Sequence, residues 1–159
     1  MAHETNPEFD MVVREHFASV TAYARSATSR RALVEEAVQE TFIRAWRYWP
    51  TFRHESSVLS WLITICRRVI IDLVRKDHQL EVLPDEVVDT RDISEPTALD
   101  ELVSRLPLPQ REVIVLCAVL GFDYGTAAHT LGIPVGTVRS RLSRARETLA
   151  QQLDASRAV

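Results

Sequence analysis

Four arginines occupy eight consecutive positions within the stretch "GIPVGTVRSRLSRARETL", which spans residues 132–149. They alternate with short and mostly polar side chains, and the first acidic residue of the stretch is Glu147. A guanidinium group can bind a phosphate or the edge of a guanine through two hydrogen bonds, and small neighbours allow close approach to a groove. The stretch therefore predicts a surface that binds DNA.

The apolar residues of this stretch predict how such a helix is oriented. They recur at steps of three and four, which places them in one buried stripe along a helix: Val135, Val138, Leu142, Ala145 and Leu149. The opposite face and its flanks carry small and cationic side chains. These are the candidate DNA contacts Thr137, Arg139, Ser140, Arg141, Ser143 and Arg144.

The residues "YGTAAHTLGIPVGTV" predict that this helix is the second of a helix-turn-helix. Ala128 lets the two helices approach closely, Gly132 accepts the turn, and Val138 holds the second helix on the first. We expect Asp123 to cap the first helix and Gly125 to lie inside it, at a cost of about 0.5 to 1 kcal/mol. The alternative is that the basic face is merely solvated, but the helix-turn-helix spacing favours DNA binding.

Two further helices are predicted in the N-terminal part. "LVEEAVQETFIRAWRYW" has its apolar stripe at Val34, Val38, Phe42, Ala45 and Trp49. "SVLSWLITICRRVIIDLVRK" follows with Ser57 as a plausible N-cap, and one of its faces carries Trp61 and Arg68. An aromatic ring beside cations can stack on unpaired bases. The residues alone leave open whether Trp61 is instead an edge of the core beside solvated arginines.

The chain of 159 residues has a formal net charge of -3, but its charge is unevenly distributed. Residues 80–104 hold one basic and eight acidic side chains, and the part up to residue 96 has two prolines and no helical repeat. This pattern predicts an all-α protein with two small helical domains, 1–79 and 98–159, joined by a flexible acidic linker at 80–97.

Several classes of protein are disfavoured by the sequence. No apolar run reaches the roughly 20 residues of a membrane helix, and "MAHETNPEFD" does not resemble a secretory signal, so we expect a cytoplasmic protein without membrane insertion. Cys66 and Cys117 lie far apart in apolar runs, which favours two buried thiols. The five histidines have no metal-ligand spacing, and no phosphate loop or nucleophile elbow is present. We therefore expect no metal, no cofactor and no enzymatic activity.

Taken in order, the motifs "VQETFIRAW", "WLITICRRVIIDLVRK", "LPLPQREVIVL" and "IPVGTVRSRLSRARE" resemble a group IV, or extracytoplasmic function (ECF), sigma factor of bacterial RNA polymerase. The resemblance covers about residues 9–150. It implies a region 2 domain before the linker and a region 4 domain after it, without region 3. It also implies a protein that joins core polymerase, directs it to a promoter and helps to open the duplex.

The resemblance also implies roles for individual residues. In region 2, it assigns contacts with the clamp of the largest polymerase subunit to Glu36, Gln39, Glu40 and Trp46. The loop "FRHESS" and the helix after it correspond to the readers of the minus-10 element, which here are His54, Ser56, Ser57, Trp61, Arg67 and Arg68. In region 4, the minus-35 readers correspond to Arg139, Ser140, Ser143 and Arg144. The implied partners are core polymerase, held by that clamp and by the flap of the second largest subunit, promoter DNA, and an anti-sigma factor.

The sequence departs from the family pattern at two places. "DYGTAAHTLG" has Gly and Thr where acidic and aliphatic residues are usual, and "ICRRV" has Arg68 where asparagine is common. Two hypotheses compete with a sigma factor. A helix-turn-helix regulator would bind an operator as a dimer without polymerase. A redox-switched interaction protein would work through Cys66 and Cys117.

Overall fold

The structure is a computed structural model that describes residues 6–28, 30–79 and 97–159. All regular structure in these ranges is helical, which confirms the all-α prediction. The chain divides into two compact units, Met1–Val74 and Arg75–Val159. The predicted acidic linker lies outside the described residues, except for Thr97.

The first unit contains two long helices, a short turn and most of a third long helix, whose residues from Arg75 onward fall beyond the boundary of the unit. The helices are α1 (Pro7–Ala27), α2 (Arg31–Tyr48) and α3 (Val58–Gln79), with a 3₁₀ turn at Trp49–Thr51 after α2. Asn6 caps α1 by accepting hydrogen bonds from the amides of Glu8 and Phe9 at 3.1 and 3.3 Å. The side of α1 that carries Val20 and Tyr23 is fully buried. This burial fits its packing against α2.

Helix α3 buries a long apolar stripe in the first unit. The stripe predicted from its periodicity is confirmed, because Leu62, Ile63, Cys66 and Val69 have no exposed surface. The predicted N-cap is also confirmed, since the Ser57 hydroxyl accepts a hydrogen bond from the Ser60 amide at 3.1 Å. Burial of these side chains is the main contribution of α3 to the stability of the unit.

The second unit is built on its longest helix. It contains α4 (Ala98–Ser104), α5 (Leu108–Ile114), a π-helical turn (Val115–Val119), α6 (Tyr124–Leu131) and α7 (Val135–Arg157). Helices α4, α5 and α6 all pack against α7. A capping box begins α4, in which Thr97 and Asp100 exchange side-chain to backbone hydrogen bonds of 2.9 and 3.2 Å. On α7, Val138, Leu142 and Ala145 are buried as predicted, whereas Val135, which was predicted to belong to the same stripe, is exposed.

Helices α6 and α7 form the predicted helix-turn-helix. Asp123 caps α6 through a 2.7 Å hydrogen bond from the Thr126 amide, and Gly132 adopts the left-handed conformation, with φ of 65°, at the turn. Gly125 lies inside α6 as expected, as its second residue. Because it lies in the first turn and not in the middle of the helix, we expect its cost to be smaller than the penalty for an interior glycine. A Cβ there would lie 3.3 Å from Asp123 Oδ1, so glycine leaves room for the cap.

The expectation of two buried thiols was correct for one cysteine only. Cys66 is buried between α2 and α3, whereas Cys117 is half-buried. Cys117 lies in the π-helical turn, where the amide of Leu120 bonds to the carbonyl of Val115 at 2.9 Å. The wider turn rotates the side chains that follow it away from the stripe that regular helical spacing predicts.

Candidate nucleic-acid interface

The face of α7 opposite its buried stripe is open to solvent. Arg139, Ser140, Ser143 and Arg144 are exposed there, and Thr137 and Arg141 on the edges are half-buried. The six predicted DNA contacts of this helix therefore lie on one continuous surface. The Ser140 hydroxyl donates to the carbonyl of Thr137 at 3.1 Å, so its oxygen remains able to accept a further hydrogen bond.

One arginine of this face lies near an aromatic ring of the neighbouring helix α6. The guanidinium carbon of Arg139 lies 6.0 Å from the centroid of the Tyr124 ring, at the start of α6. This is the outer limit of a cation–π contact. The hydrogen bond from the Thr126 backbone is the main cause of the lowered pKa of Asp123, the cap of α6. The first helix of the motif therefore contributes to the placement of an arginine on the second.

An open cleft of about 740 Å³ lies in the first unit, between α2, the loop after it and α3. Four arginines line it: Arg44, Arg47, Arg53 and Arg68. Tyr48, Phe52 and Trp61 add aromatic surface, and Glu40, Glu55 and Ser56 add polar groups. Cationic groups beside flat rings are suited to an unpaired nucleic-acid base and its phosphate.

A cluster of stacked and tilted rings supports one wall of the cleft. Phe52 stacks on Trp61 with 4.5 Å between centroids, and Trp49 lies 5.6 Å from Phe52 and 6.1 Å from Trp61. Phe9 of α1 contacts Trp49 edge to face at 5.6 Å. The cluster connects α1, the 3₁₀ turn, the loop and α3.

The six residues predicted to read minus-10 DNA are only partly brought together. Ser56, Trp61 and Arg68 line the cleft, whereas His54, Ser57 and Arg67 are not among its lining residues. Ser57 is occupied as the α3 cap. His54 is exposed and packs its ring on Phe52, and Arg67 is half-buried.

The four residues predicted to contact the polymerase clamp fall on two faces of α2. Glu36 and Gln39 are exposed, and Trp46 keeps 55% of its surface exposed. Glu40 instead lines the cleft and accepts a hydrogen bond of 2.7 Å from Arg44. Arg44 also donates a hydrogen bond of 3.3 Å to Asp72 of α3. The pKa of Arg44 is raised, and its hydrogen bond to Glu40 is the largest cause.

The sequence reasoning missed three arginines of the cleft. Two of them, Arg44 and Arg47, lie four and seven positions after Glu40. Helical spacing could therefore have placed these two arginines on the same face of α2 as Glu40. Arg53 lies inside the loop that was already singled out. No sequence pattern shows that Trp49 and Phe52 meet Trp61, because that contact depends on how the 3₁₀ turn directs the chain.

Other kinds of site find no support in the described ranges. No group of three or more histidine, cysteine or acidic side chains there could hold a metal ion. None of the helices in those ranges combines the length and apolar character needed to cross a membrane. Burial raises the pKa of Cys66 to about 11 and also raises that of Cys117, which disfavours the reactive thiolate that the redox hypothesis requires.

Both units match models of known protein families. The sigma-70 region 2 model matches residues 12–79, and the sigma-70 region 4 model matches residues 97–149. The class of protein defined by these matches is a two-domain sigma factor of the sigma-70 type.

Similarity to individual proteins identifies the subgroup of sigma factors. The ECF sigma factor SigC of Mycobacterium tuberculosis is 34% identical over 124 residues, which are 72% of this chain and 67% of that protein. The ECF sigma factor SigM of the same species is 32% identical over 150 residues, 91% of this chain and 76% of the relative. RpoE of Bartonella quintana, solved in complex with the anti-sigma factor NepR, matches with a TM-score of 0.76 at 27% identity, over 94% of this chain and 98% of that one.

The chain belongs to the ECF sigma factors. It is an alternative sigma factor that directs promoter-specific transcription and is not an enzyme. A helix-turn-helix regulator that acts without polymerase is not favoured, because such a protein has no need of the region 2 domain found at residues 12–79.

Proposed function

We propose that the cleft of the first unit binds an unpaired base of the minus-10 element, while the exposed face of α7 reads the minus-35 element as duplex. The observation that carries this proposal is the cleft itself, in which four arginines surround the rings of Tyr48, Phe52 and Trp61. Duplex DNA keeps its bases stacked inside, so a ring-lined recess is useful only for a base that has left the stack. The α7 face has no such recess and suits a major groove.

Binding to core polymerase is assigned to exposed residues of α2 that do not line the cleft. Gln39, Ile43 and Trp46 are exposed there. Ile43 and Trp46 are large apolar residues, which are usually buried. Large exposed apolar side chains close together are typical of an interface. The clamp of the largest subunit is the proposed partner of this face, and the flap of the second largest subunit is the proposed partner of the second unit.

An anti-sigma factor and a cytoplasmic location complete the proposal. RpoE of Bartonella quintana, to which this chain is similar over most of its length, was solved with the anti-sigma factor NepR. A regulator of that kind would hold the sigma factor away from polymerase. The location follows from the proposed partner, since promoters and polymerase lie in the bacterial cytoplasm.

The direct test is promoter selection by a reconstituted holoenzyme. The full chain is mixed with core polymerase from its own bacterium, and transcripts are sequenced from a template library randomised at the minus-10 and minus-35 positions. We expect starts at discrete templates that share bases in both elements. Binding to core with starts independent of both elements would contradict the proposal, and failure to bind core would support a regulator that acts alone.

A further inference from the structure

The backbone at His54 has an uncommon conformation. Its φ is 55°, and among the described residues it is the one non-glycine residue with a positive φ. This left-handed region is disfavoured for residues with a Cβ, although histidine, asparagine and aspartate tolerate it better than most. Such a conformation persists only when surrounding contacts hold it.

The contacts that hold it are aromatic. The His54 ring lies 4.5 Å from the ring of Phe52 and 6.0 Å from that of Trp49, centroid to centroid. Phe52 and Trp49 are themselves packed on Trp61 of α3. His54 therefore packs on the ring cluster of the cleft wall, even though the residue is exposed.

Three residues next to His54 in the loop line the cleft, whereas His54 does not. These are Arg53, Glu55 and Ser56. A left-handed residue reverses the local direction of the chain, so its neighbours can be presented together on one side. The His54 ring thus packs on the ring cluster, while Arg53, Glu55 and Ser56 of the same loop line the cleft.

We infer that His54 is a positioning residue, which holds the loop of residues 52–57 so that Arg53, Glu55 and Ser56 face the bound base. It acts through the ring cluster and not by touching the base. The inference rests on the proposed function of the cleft, and it changes the role that sequence resemblance implies for His54 from direct DNA contact to support of the loop.

The test compares three variants in the full chain bound to core polymerase. His54→Gly permits the left-handed backbone without holding it there, because it removes the ring. His54→Phe keeps a ring that can pack on Phe52, and Arg53→Ala removes a group that lines the cleft. Near-UV circular dichroism of each free protein reports the packing of the tryptophan rings. Base preference is measured by sequencing DNA retained from a duplex library randomised over the minus-10 element.

His54→Gly should change the near-UV spectrum and lower the preference for the selected base by about two- to tenfold, the range expected when a short segment must be reordered at each binding event. His54→Phe should recover most of that preference. Arg53→Ala should weaken retention of DNA and leave the near-UV spectrum unchanged.

Two results would overturn the inference alone. One is a His54→Gly protein with the base preference of the wild type. The other is a His54→Phe protein that loses as much preference as His54→Gly, which would show that the imidazole itself contacts the base. A wild-type holoenzyme that selects no base in the library would overturn the proposed function of the cleft, and the inference with it.

Discussion

Arg144 and Arg146 are both exposed on α7, but they lie on different sides of the helix. Arg146 lowers the pKa of Cys117 electrostatically, so it lies towards the body of the second unit, although burial still leaves the pKa of that thiol raised. Arg144 lies opposite the buried stripe. If it binds a guanine edge with two hydrogen bonds, its contribution depends on one base pair.

We expect Arg144→Ala to weaken binding to the preferred minus-35 duplex by about 1 to 3 kcal/mol and to relax specificity at one position. Arg146→Ala is the matched control and should cost less. Competition binding by the holoenzyme with single base-pair variants measures both. Equal losses for the two variants on every sequence would show that α7 supplies only general positive charge.

Tyr124 is expected to support DNA binding through its contact with Arg139. Its ring limits the positions open to the Arg139 guanidinium, 6.0 Å away. Tyr124→Leu should therefore cost about 0.5 to 1 kcal/mol of minus-35 binding, the range of an exposed cation–π contact. Tyr124→Phe keeps the ring and should retain base preference. In an Arg139→Ala background the effect of Tyr124→Leu should disappear, and additive losses would show that the two side chains act independently.

Cys66 gives the first unit a dependence on alkaline pH. Burial raises the pKa of its thiol from 9.0 to about 11, and its side-chain hydrogen bond with Thr41 opposes this in part. The folded state thus keeps a proton that the unfolded state loses. The resulting stability is complete below pH 9 and is lost as the pH rises towards 11.

The loss should amount to about 2 to 3 kcal/mol, which corresponds to a shift of roughly two pKa units. Chemical denaturation at a series of pH values measures it. Cys66→Ala should lower stability at neutral pH, because it leaves a small cavity, but it should flatten this alkaline decline. An equally steep decline in the variant would assign the effect to other groups.

At the scale of helices, α2 carries residues of two proposed contact surfaces. Glu40, Arg44 and Arg47 line the cleft, while Gln39 and Trp46 are exposed outside it. A change on one face should therefore leave the other intact, unless it breaks the contact of Arg44 with Glu40 and Asp72. Glu40 is thus a poor single probe of polymerase binding.

We expect the double variant Gln39→Ala and Trp46→Ala to lose affinity for core polymerase by at least tenfold, as truncation of a large aromatic anchor at an interface commonly does. Its near-UV spectrum should keep the features of the Trp49, Phe52 and Trp61 cluster. Glu40→Gln is the comparison, because it weakens the pairing with Arg44 and should alter minus-10 selection. Normal core binding by the double variant would remove the clamp from the proposed partners of this face.

The helices could be predicted from the sequence because their signals are local. The apolar spacing of α3 and α7, the Ser57 and Asp123 caps and the left-handed Gly132 each depend on residues within a few turns of one another. The cleft depends on longer contacts. The ring cluster draws on α1, the 3₁₀ turn and α3, and the Arg44–Asp72 contact joins residues 28 positions apart. Periodicity also could not indicate the π-helical turn that leaves Cys117 half-buried.

At the scale of the whole molecule, a net charge of -3 is compatible with DNA binding because the charges are segregated. Residues 80–104 hold eight of the 22 acidic side chains, whereas the cleft and the α7 face each concentrate arginines. At physiological salt the field of an exposed charge is screened within roughly 8 Å. Local charge at each surface therefore matters more for contact with DNA than the net charge does.

The two proposed DNA-binding surfaces lie on separate units, so the covalent connection between the units can itself contribute to promoter binding. Each compact unit has its own buried core, so we expect 1–79 and 98–159 to fold as separate chains. Each alone would hold its DNA element weakly. Joined, the first contact raises the effective concentration of the second without any new interface.

Promoter-specific initiation should therefore require the joined chain. Chain 1–79 should bind core polymerase and prefer unpaired minus-10 DNA, chain 98–159 should prefer duplex minus-35 DNA, and an equimolar mixture should yield few or no specific transcripts. Inserting a few flexible residues between the two parts should reduce initiation only modestly, because the entropy of closing a loop grows slowly with its length. Circular dichroism of each chain is the control for folding. Initiation by the mixture at the level of the intact chain would mean that polymerase alone brings the two units together, and that their connection contributes nothing to promoter choice.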